Sequence, residues 1–305
     1  MNTDMTEPRD VPPPQPRTAS AHSRELGEEL RRARSGASAR QLAGRLGWSI
    51  PKIAKLEAGT RGITEWDAAS LLTACGTDQD TLTRIRRLLS LDVHAYLRLH
   101  GDAASDELAG VAVHERLAVR VQCYEPLRVP PLLQTAGYVR AQATEGVSTP
   151  VDRAVRARMA RQKVLNKFST PTWVFYLRQA VLETEFGGLA EAHEQAVHLE
   201  MLSRRDDVTV RVLPNLVDGH PALAHGVSLA VLPQPSTPVA YVELDVATAF
   251  IDDETAVRAY QEKFEVLDRL ALDARQSRWL IAQRASVCMN RLAGEAESDS
   301  PAPRD

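Results

Sequence analysis

The chain has 305 residues, 44% of them hydrophobic and 25% charged, the balance of a globular protein with room for two domains. No run of eighteen apolar residues occurs and no basic segment followed by an apolar one opens the chain, so neither membrane insertion nor export is expected. Net charge is -3, but residues 17–100 hold 14 Lys/Arg against 9 Asp/Glu while residues 101–305 hold 22 against 28. Only the first part has the sign of a phosphate-facing module.

Cys75, Cys123 and Cys288 are too widely spaced to be read as a metal pair or a disulfide framework, and a reducing, cytoplasmic setting fits. Residues 1–22, with the run VPPPQP, read as a disordered tail. Residues 23–91 break into five short helical patterns. Leu26, Leu30 and Ala33 mark one face of the first, which stops near Gly36. Ser38 and Gln41 form an S-x-x-Q capping box for a second bearing Leu42, Ala43 and Leu46, after which Gly47 supplies a sharp turn. Ser49 caps a third helix with Ile53 and Leu56 inward and Gly59 at the left-handed C-terminal position. Thr64 with Asp67 repeats the capping logic for a fourth helix carrying Leu71 and Leu72, and Asp78 opens a fifth built on Leu82, Ile85 and Leu89.

Two short helices at 39–46 and 50–58, joined by a tight glycine turn in a basic bundle, are what a DNA-reading helix-turn-helix requires: one braces on the backbone, the next enters the major groove of double-stranded DNA. With Ile53 and Leu56 inward, Ile50, Pro51, Ala54 and Lys55 fall on the outer face as base-facing candidates. Ile50 and Pro51 suit thymine methyl groups, and Lys55 suits guanine O6 or N7. Proline costs little there, because a first-turn N–H lacks an intrahelical partner. Arg40, Lys52 and Arg61 are assigned to phosphates. Ser38 and Ser49 aim helix N-termini at the same backbone, and Gln41 completes the DNA-binding set. Trp48 and Trp66 are expected in the core.

This segment resembles the Xre/Cro-type helix-turn-helix family through R-x-x-R at 31–34, S-A-R-Q-L-A at 38–43, L-G-W-S at 46–49 and K-I-A-K-L-E-A-G at 52–59. The resemblance covers roughly residues 24–89 and implies DNA binding. That family commonly has glutamine first in both helices of the motif, where this chain has Ala39 and Ile50. Recognition through apolar contact and Lys55, rather than through glutamine amides, is the expectation.

Residues 92–113 read as a linker, 114–291 as an α+β effector or partner-binding domain with a mainly antiparallel sheet, and 292–305 as a second disordered tail. Long helical patterns span 151–167, 188–204 and 253–286, with strand-like runs TWVFYL at 172–177, VTVRVL at 208–213, GVSLAVL at 226–232 and VAYVEL at 239–244. YEPLRVPPLLQTAGYVR at 124–140 reads as a proline-stiffened extended segment leading to a helix that starts near Pro131 and buries Leu132, Leu133, Ala136 and Val139.

That stretch also resembles the signature of an actinobacterial, antitoxin-like regulator domain that follows an Xre-type reader. The match continues through R-Q-K-V-L at 161–165, V-R-V-L-P at 210–214, G-H-P-A at 219–222 and Y-V-E at 241–243, with Pro131 in place of the usual glycine. It implies an effector or partner-binding domain with no established reaction, often paired with a very short protein encoded nearby. Tyr124, Gln134, Tyr138 and His220 are the candidate effector or partner contacts.

Enzymatic alternatives find little in the sequence. His193 and His198 are five apart on a helix, about 140° around its axis, and His220 and His225 lie in a loop without an adjacent carboxylate pair. Glu183, Glu185, Glu243 and Asp245 read as ordinary surface acids, and no G-x-S-x-G, Walker loop or dinucleotide fingerprint occurs. No metal or cofactor is expected. The reading is a sequence-specific transcriptional regulator, a homodimer on a two-fold site, with 253–286 as a candidate dimer element. The rivals are an antitoxin-like protein that mainly sequesters a small partner, and a small-molecule-binding or enzymatic domain attached to a DNA reader.

Overall fold

The computed structural model describes residues 19–34, 36–89, 95–99, 109–145, 150–166, 171–244 and 247–298. Five helices open it: α1 (Ala21–Arg34), α2 (Ala39–Leu46), α3 (Ile50–Glu57), α4 (Glu65–Cys75) and α5 (Gln79–Leu89). They close on a core of Leu26, Leu30, Leu42, Ile53, Leu71, Leu72, Ile85 and Leu88. The expected caps form: the side chains of Ser38, Ser49, Thr64 and Asp78 accept from the backbone N–H three residues on, at 3.2, 3.3, 3.1 and 2.8 Å.

Three ranges differ from expectation. First, α1 begins at Ala21, inside the stretch expected as a tail, because Ser20 caps it by accepting from Ser23 N at 3.0 Å, and Ala19 and Ala21 are buried. Second, residues 92–113 are not merely a linker: they contain β1 (Ala95–Leu99) and the start of α6 (Ala109–Leu117). Third, the terminal helix continues to Ser298, beyond the point where a disordered tail was placed.

After α6 come β2 (Arg120–Glu125), α7 (Ala136–Glu145), α8 (Val151–Gln162), β3 (Thr172–Arg178), α9 (Gln179–Glu183), α10 (Leu189–Leu202), β4 (Val208–Leu213), β5 (Val227–Val231), β6 (Val239–Glu243) and β7 (Ala247–Ile251). The chain ends in α11 (Glu254–Leu270) and α12 (Ala274–Ser298). Pro131 opens only a short 3-10 turn, Pro131–Leu133, and α7 starts at Ala136 with Thr135 Oγ1 accepting from Tyr138 N at 3.2 Å. The single long pattern at 253–286 is two helices. Asp273 and Gln276 form a reciprocal cap that starts α12, with Gln276 N to Asp273 Oδ1 at 2.7 Å and Asp273 N to Gln276 Oε1 at 3.0 Å.

Among the described residues the sheet has seven strands in the order β1-β7-β6-β5-β2-β3-β4. Only β2–β3 and β3–β4 are parallel, each joined by a helical crossover; the other neighbours are antiparallel. The fold is therefore α+β with a mixed, mainly antiparallel sheet. Alternation along β3 shows how it is layered: Trp173, Phe175 and Leu177 face a core shared with α7, α10 and α12, while Tyr176 faces the opposite side, where α11 lays Val257, Phe264 and Leu267 on the sheet. Covered on both faces, the central strands read as nearly continuous apolar runs.

The helical bundle is packed directly against the sheet. Ala21 of α1 belongs to the same buried cluster as Tyr96 of β1 and Phe250 of β7, and its backbone N–H donates to Asp252. Glu28 of α1 meets Arg116 of α6 at 3.0 Å.

Candidate nucleic-acid interface

The two helices of the motif meet at a turn set by backbone chemistry. Gly47 ends α2 with φ +66, a left-handed conformation that glycine adopts without a Cβ penalty, and Trp48 N returns to Ala43 O at 3.0 Å. Ser38 and Gln41 cap α2 reciprocally. Ser49 caps α3, and Pro51 sits in its first turn where no N–H is missed.

On α3 the partition of side chains follows the expected helical spacing. Ile53 and Leu56 are buried, whereas Ile50, Pro51, Ala54 and Lys55 are exposed, Ile50 at 44% despite being fully apolar. Arg40 and Arg61 are also exposed, and neither has a charged partner among the described residues. Ser38, Gln41 and Ser49 lie on the surface, with the Gln41 carbonyl taken by Ser38 N at 2.8 Å, which leaves its amide N–H groups for another acceptor.

Lys52 departs from its assignment as a phosphate ligand. Its Nζ lies 3.1 Å from Asp67 Oδ1 and 3.5 Å from the centroid of the Trp48 ring, so it ties α3 to α4. Its charge already has a partner. Trp66, expected in the core, is 80% exposed.

The back of α3 is braced by contacts that the side-chain pattern does not announce. A Cβ on Gly27 of α1 would collide with the Glu57 carbonyl and come within 2.8 Å of Leu56 O, and one on Gly59 would come within 2.5 Å of Ser23 O. Backbones of α1 and α3 therefore touch. Arg34 closes the same junction on Glu57, with Nε to Oε1 at 2.6 Å and Nη2 to Oε2 at 3.2 Å. This hydrogen bond raises the Arg34 pKa. Gly27 was the available signal, since a glycine inside a helix is costly unless something approaches it closely.

In the second region, three of the four candidate contacts are structural. Tyr124 is buried and donates to Leu223 O at 3.0 Å; Gln134 is buried with Nε2 donating to Val129 O at 2.7 Å; buried Tyr138 accepts from Val129 N at 3.2 Å. They hold loops and are not open to an effector. His220 is exposed, but its Nδ1 accepts from Ala222 N at 3.1 Å and so caps a short turn.

Glu243 is not an ordinary surface acid. Arg161 Nη1 donates to both its oxygens at 2.8 Å, Arg161 Nη2 reaches Glu115 Oε1 at 2.7 Å, and the Tyr241 hydroxyl donates to the same Glu115 oxygen at 2.9 Å. Burial opposes ionisation of Glu243, but Arg161 and Arg158 outweigh it and hold the carboxyl below its ordinary range. Asp245 lies outside the described residues. Beside this network, Glu125, Arg128, Phe186, Ser228, Tyr241 and Glu243 help to line a pocket of about 530 Å³. Burial pushes the Glu125 carboxyl up to about 6, with Arg128 opposing it.

His193 is spent on the main chain, its Nδ1 lying 3.0 Å from Ala285 O, and burial lowers the pKa of His198. Among the described residues no helix is long and apolar enough to cross a membrane, and no group of three His, Cys, Asp or Glu is placed to hold a metal ion.

Comparison with known proteins adds three findings. Residues 25–85 match a family described as a helix-turn-helix domain, and residues 108–283 match one described as a domain of unknown function (DUF5753). No curated protein matches. Among solved structures, a chain of TrmBL2, described as an archaeal chromatin protein with a novel mode of DNA binding, is 9% identical and aligns over 82% of this chain and 92% of that one, with a TM-score of 0.29. The DUF5753 match spans more than half of the chain, and the protein therefore belongs to that family, with a helix-turn-helix domain at its N-terminal end.

Proposed function

We propose that the protein is a sequence-specific DNA-binding transcriptional regulator, acting in the cytoplasm as a homodimer on a two-fold site. The observation that carries this reading is the outer face of α3: Ile50, Pro51, Ala54 and Lys55 are exposed together on a helix whose other side is fixed by backbone contact with α1. An apolar pair and one free ammonium on a braced helix suit thymine methyls and a guanine edge. Arg40 and Arg61 flank the helix for phosphates. The resemblance to Xre/Cro-type readers supports the same reading.

The α+β domain is read as a non-catalytic sensor. The pocket of about 530 Å³ is of the size that small ligands occupy and favours a small-molecule effector. A second reading, in which the domain sequesters a short protein encoded nearby, follows from the resemblance to actinobacterial antitoxin-like regulators. Selection of bound sites from random DNA tests the main reading. The expected product is a two-fold sequence with half-sites about one helical turn apart; equal retention of all sequences would overturn it.

A further inference from the structure

Trp66 opens α4 and stands 80% exposed, an unusual place for the largest apolar side chain. It lines a groove of about 700 Å³ between α4 and α5, together with Leu72, Leu82 and Leu89. The same groove carries one charge of each sign on its two helices, Glu65 on α4 and Arg86 on α5. Both are exposed, and neither has an ion-pair partner among the described residues.

We propose that this groove is the surface on which a second copy of the chain docks. A two-fold interface sets one patch against itself, so the patch must offer both a protrusion and a recess, and both signs of charge. Trp66 beside the recess of Leu72, Leu82 and Leu89 meets the first condition; Glu65 and Arg86 meet the second. Trp66 of each copy enters the recess of the other, and Glu65 of one copy meets Arg86 of the other. A surface built for an unlike partner has no need to carry its own complement. Because Lys52 and Asp67 tie α3 to α4, pairing through α4 and α5 also fixes the spacing between the two reading helices.

The proposal rests on the homodimer reading above and names its interface. The test uses the full chain: sedimentation equilibrium gives the dimer Kd, and titration of the selected two-fold site and an isolated half-site gives affinity. Trp66→Ala is expected to raise the dimer Kd about 30-fold, as truncation of an interface anchor does, while half-site affinity stays the same. Glu65→Arg and Arg86→Glu each weaken the dimer, and the double swap restores it. A wild-type dimer Kd in every variant overturns the surface and leaves the homodimer standing. A wild-type chain that stays monomeric and binds a single half-site overturns both. Weakening by Trp66→Ala without restoration in the double swap overturns the pairing of Glu65 with Arg86 and the two-fold register drawn from it.

Discussion

Glu25 of α1 forms an ion pair with Arg98 of β1 and accepts a hydrogen bond from the hydroxyl of Tyr96 two residues earlier on the same strand. The opposite face of that helix is in backbone contact with α3 through Gly27. One helix thus packs against both α3 of the helix-turn-helix bundle and the edge of the sheet. Glu25 is almost fully buried, so truncating it removes a counter-charge from a desolvated site, a change that costs about 3–5 kcal/mol. Glu25→Ala should lower the denaturation midpoint and speed amide exchange in α3 as well as in β1. Faster exchange confined to β1 would show that the two domains open separately.

Glycine to alanine should have opposite signs at two sites within the bundle. At Gly27 the new Cβ meets the backbone carbonyls of Leu56 and Glu57, which cannot rotate aside, so α1 and α3 must separate. At Gly44, inside α2, nothing lies within 4 Å, and the helix gains about 1 kcal/mol. Thermal melting of Gly27→Ala and Gly44→Ala checks this. A neutral Gly27→Ala would mean that the close approach is not a constraint.

The reader was legible because its signals are local. Ser38 with Gln41, Ser49, Thr64 and Asp78 each announce a helix start from within four residues, and Gly47 and Gly59 announce the stops. The valine-rich β4 and β5 were equally plain. What escaped depends on partners distant in the chain. β1 is a five-residue edge strand that exists through pairing with β7 some 150 positions on, and β7, ATAFI, has too little bulk to declare itself. Tyr124, Gln134 and Tyr138 looked available because their partners are backbone atoms of Leu223 and Val129, which leave no trace in side-chain patterns. The ion pair of Lys52 escaped for a similar reason: Asp67 lies a helix away, and its cap position had already explained it.

Of the four basic residues proposed for DNA contact, Lys55, Arg40 and Arg61 are exposed and Lys52 is paired with Asp67, and their substitutions are expected to differ accordingly. Lys55→Ala should relax discrimination at one base position by about 1–3 kcal/mol. Arg40→Ala and Arg61→Ala should weaken all sequences together and reduce the salt slope by about one each. Lys52→Gln should leave the slope unchanged and instead lower thermal stability, since it releases Asp67 and the Trp48 ring. Binding titrations at several salt concentrations on specific and random DNA separate these outcomes; a slope change in Lys52→Gln would return that residue to the phosphates.

Acid should loosen the junction between the domains through His114. Its ring is fully buried in α6, 5.4 Å from the centroid of Phe250, and burial followed by the charge of Arg24 holds its pKa down at about 3. An unfolded histidine titrates near 6.5. Between these values the unfolded chain binds a proton that the folded chain refuses, so stability is complete above about pH 6.5 and declines as pH falls. One proton gives at most about 1.4 kcal/mol per pH unit, or about 2 kcal/mol lost by pH 5. His114→Phe removes this contribution without adding a polar atom, and its denaturation curves should depend less steeply on pH than those of the wild type over the same interval. Parallel pH profiles would place the acid sensitivity on groups other than His114.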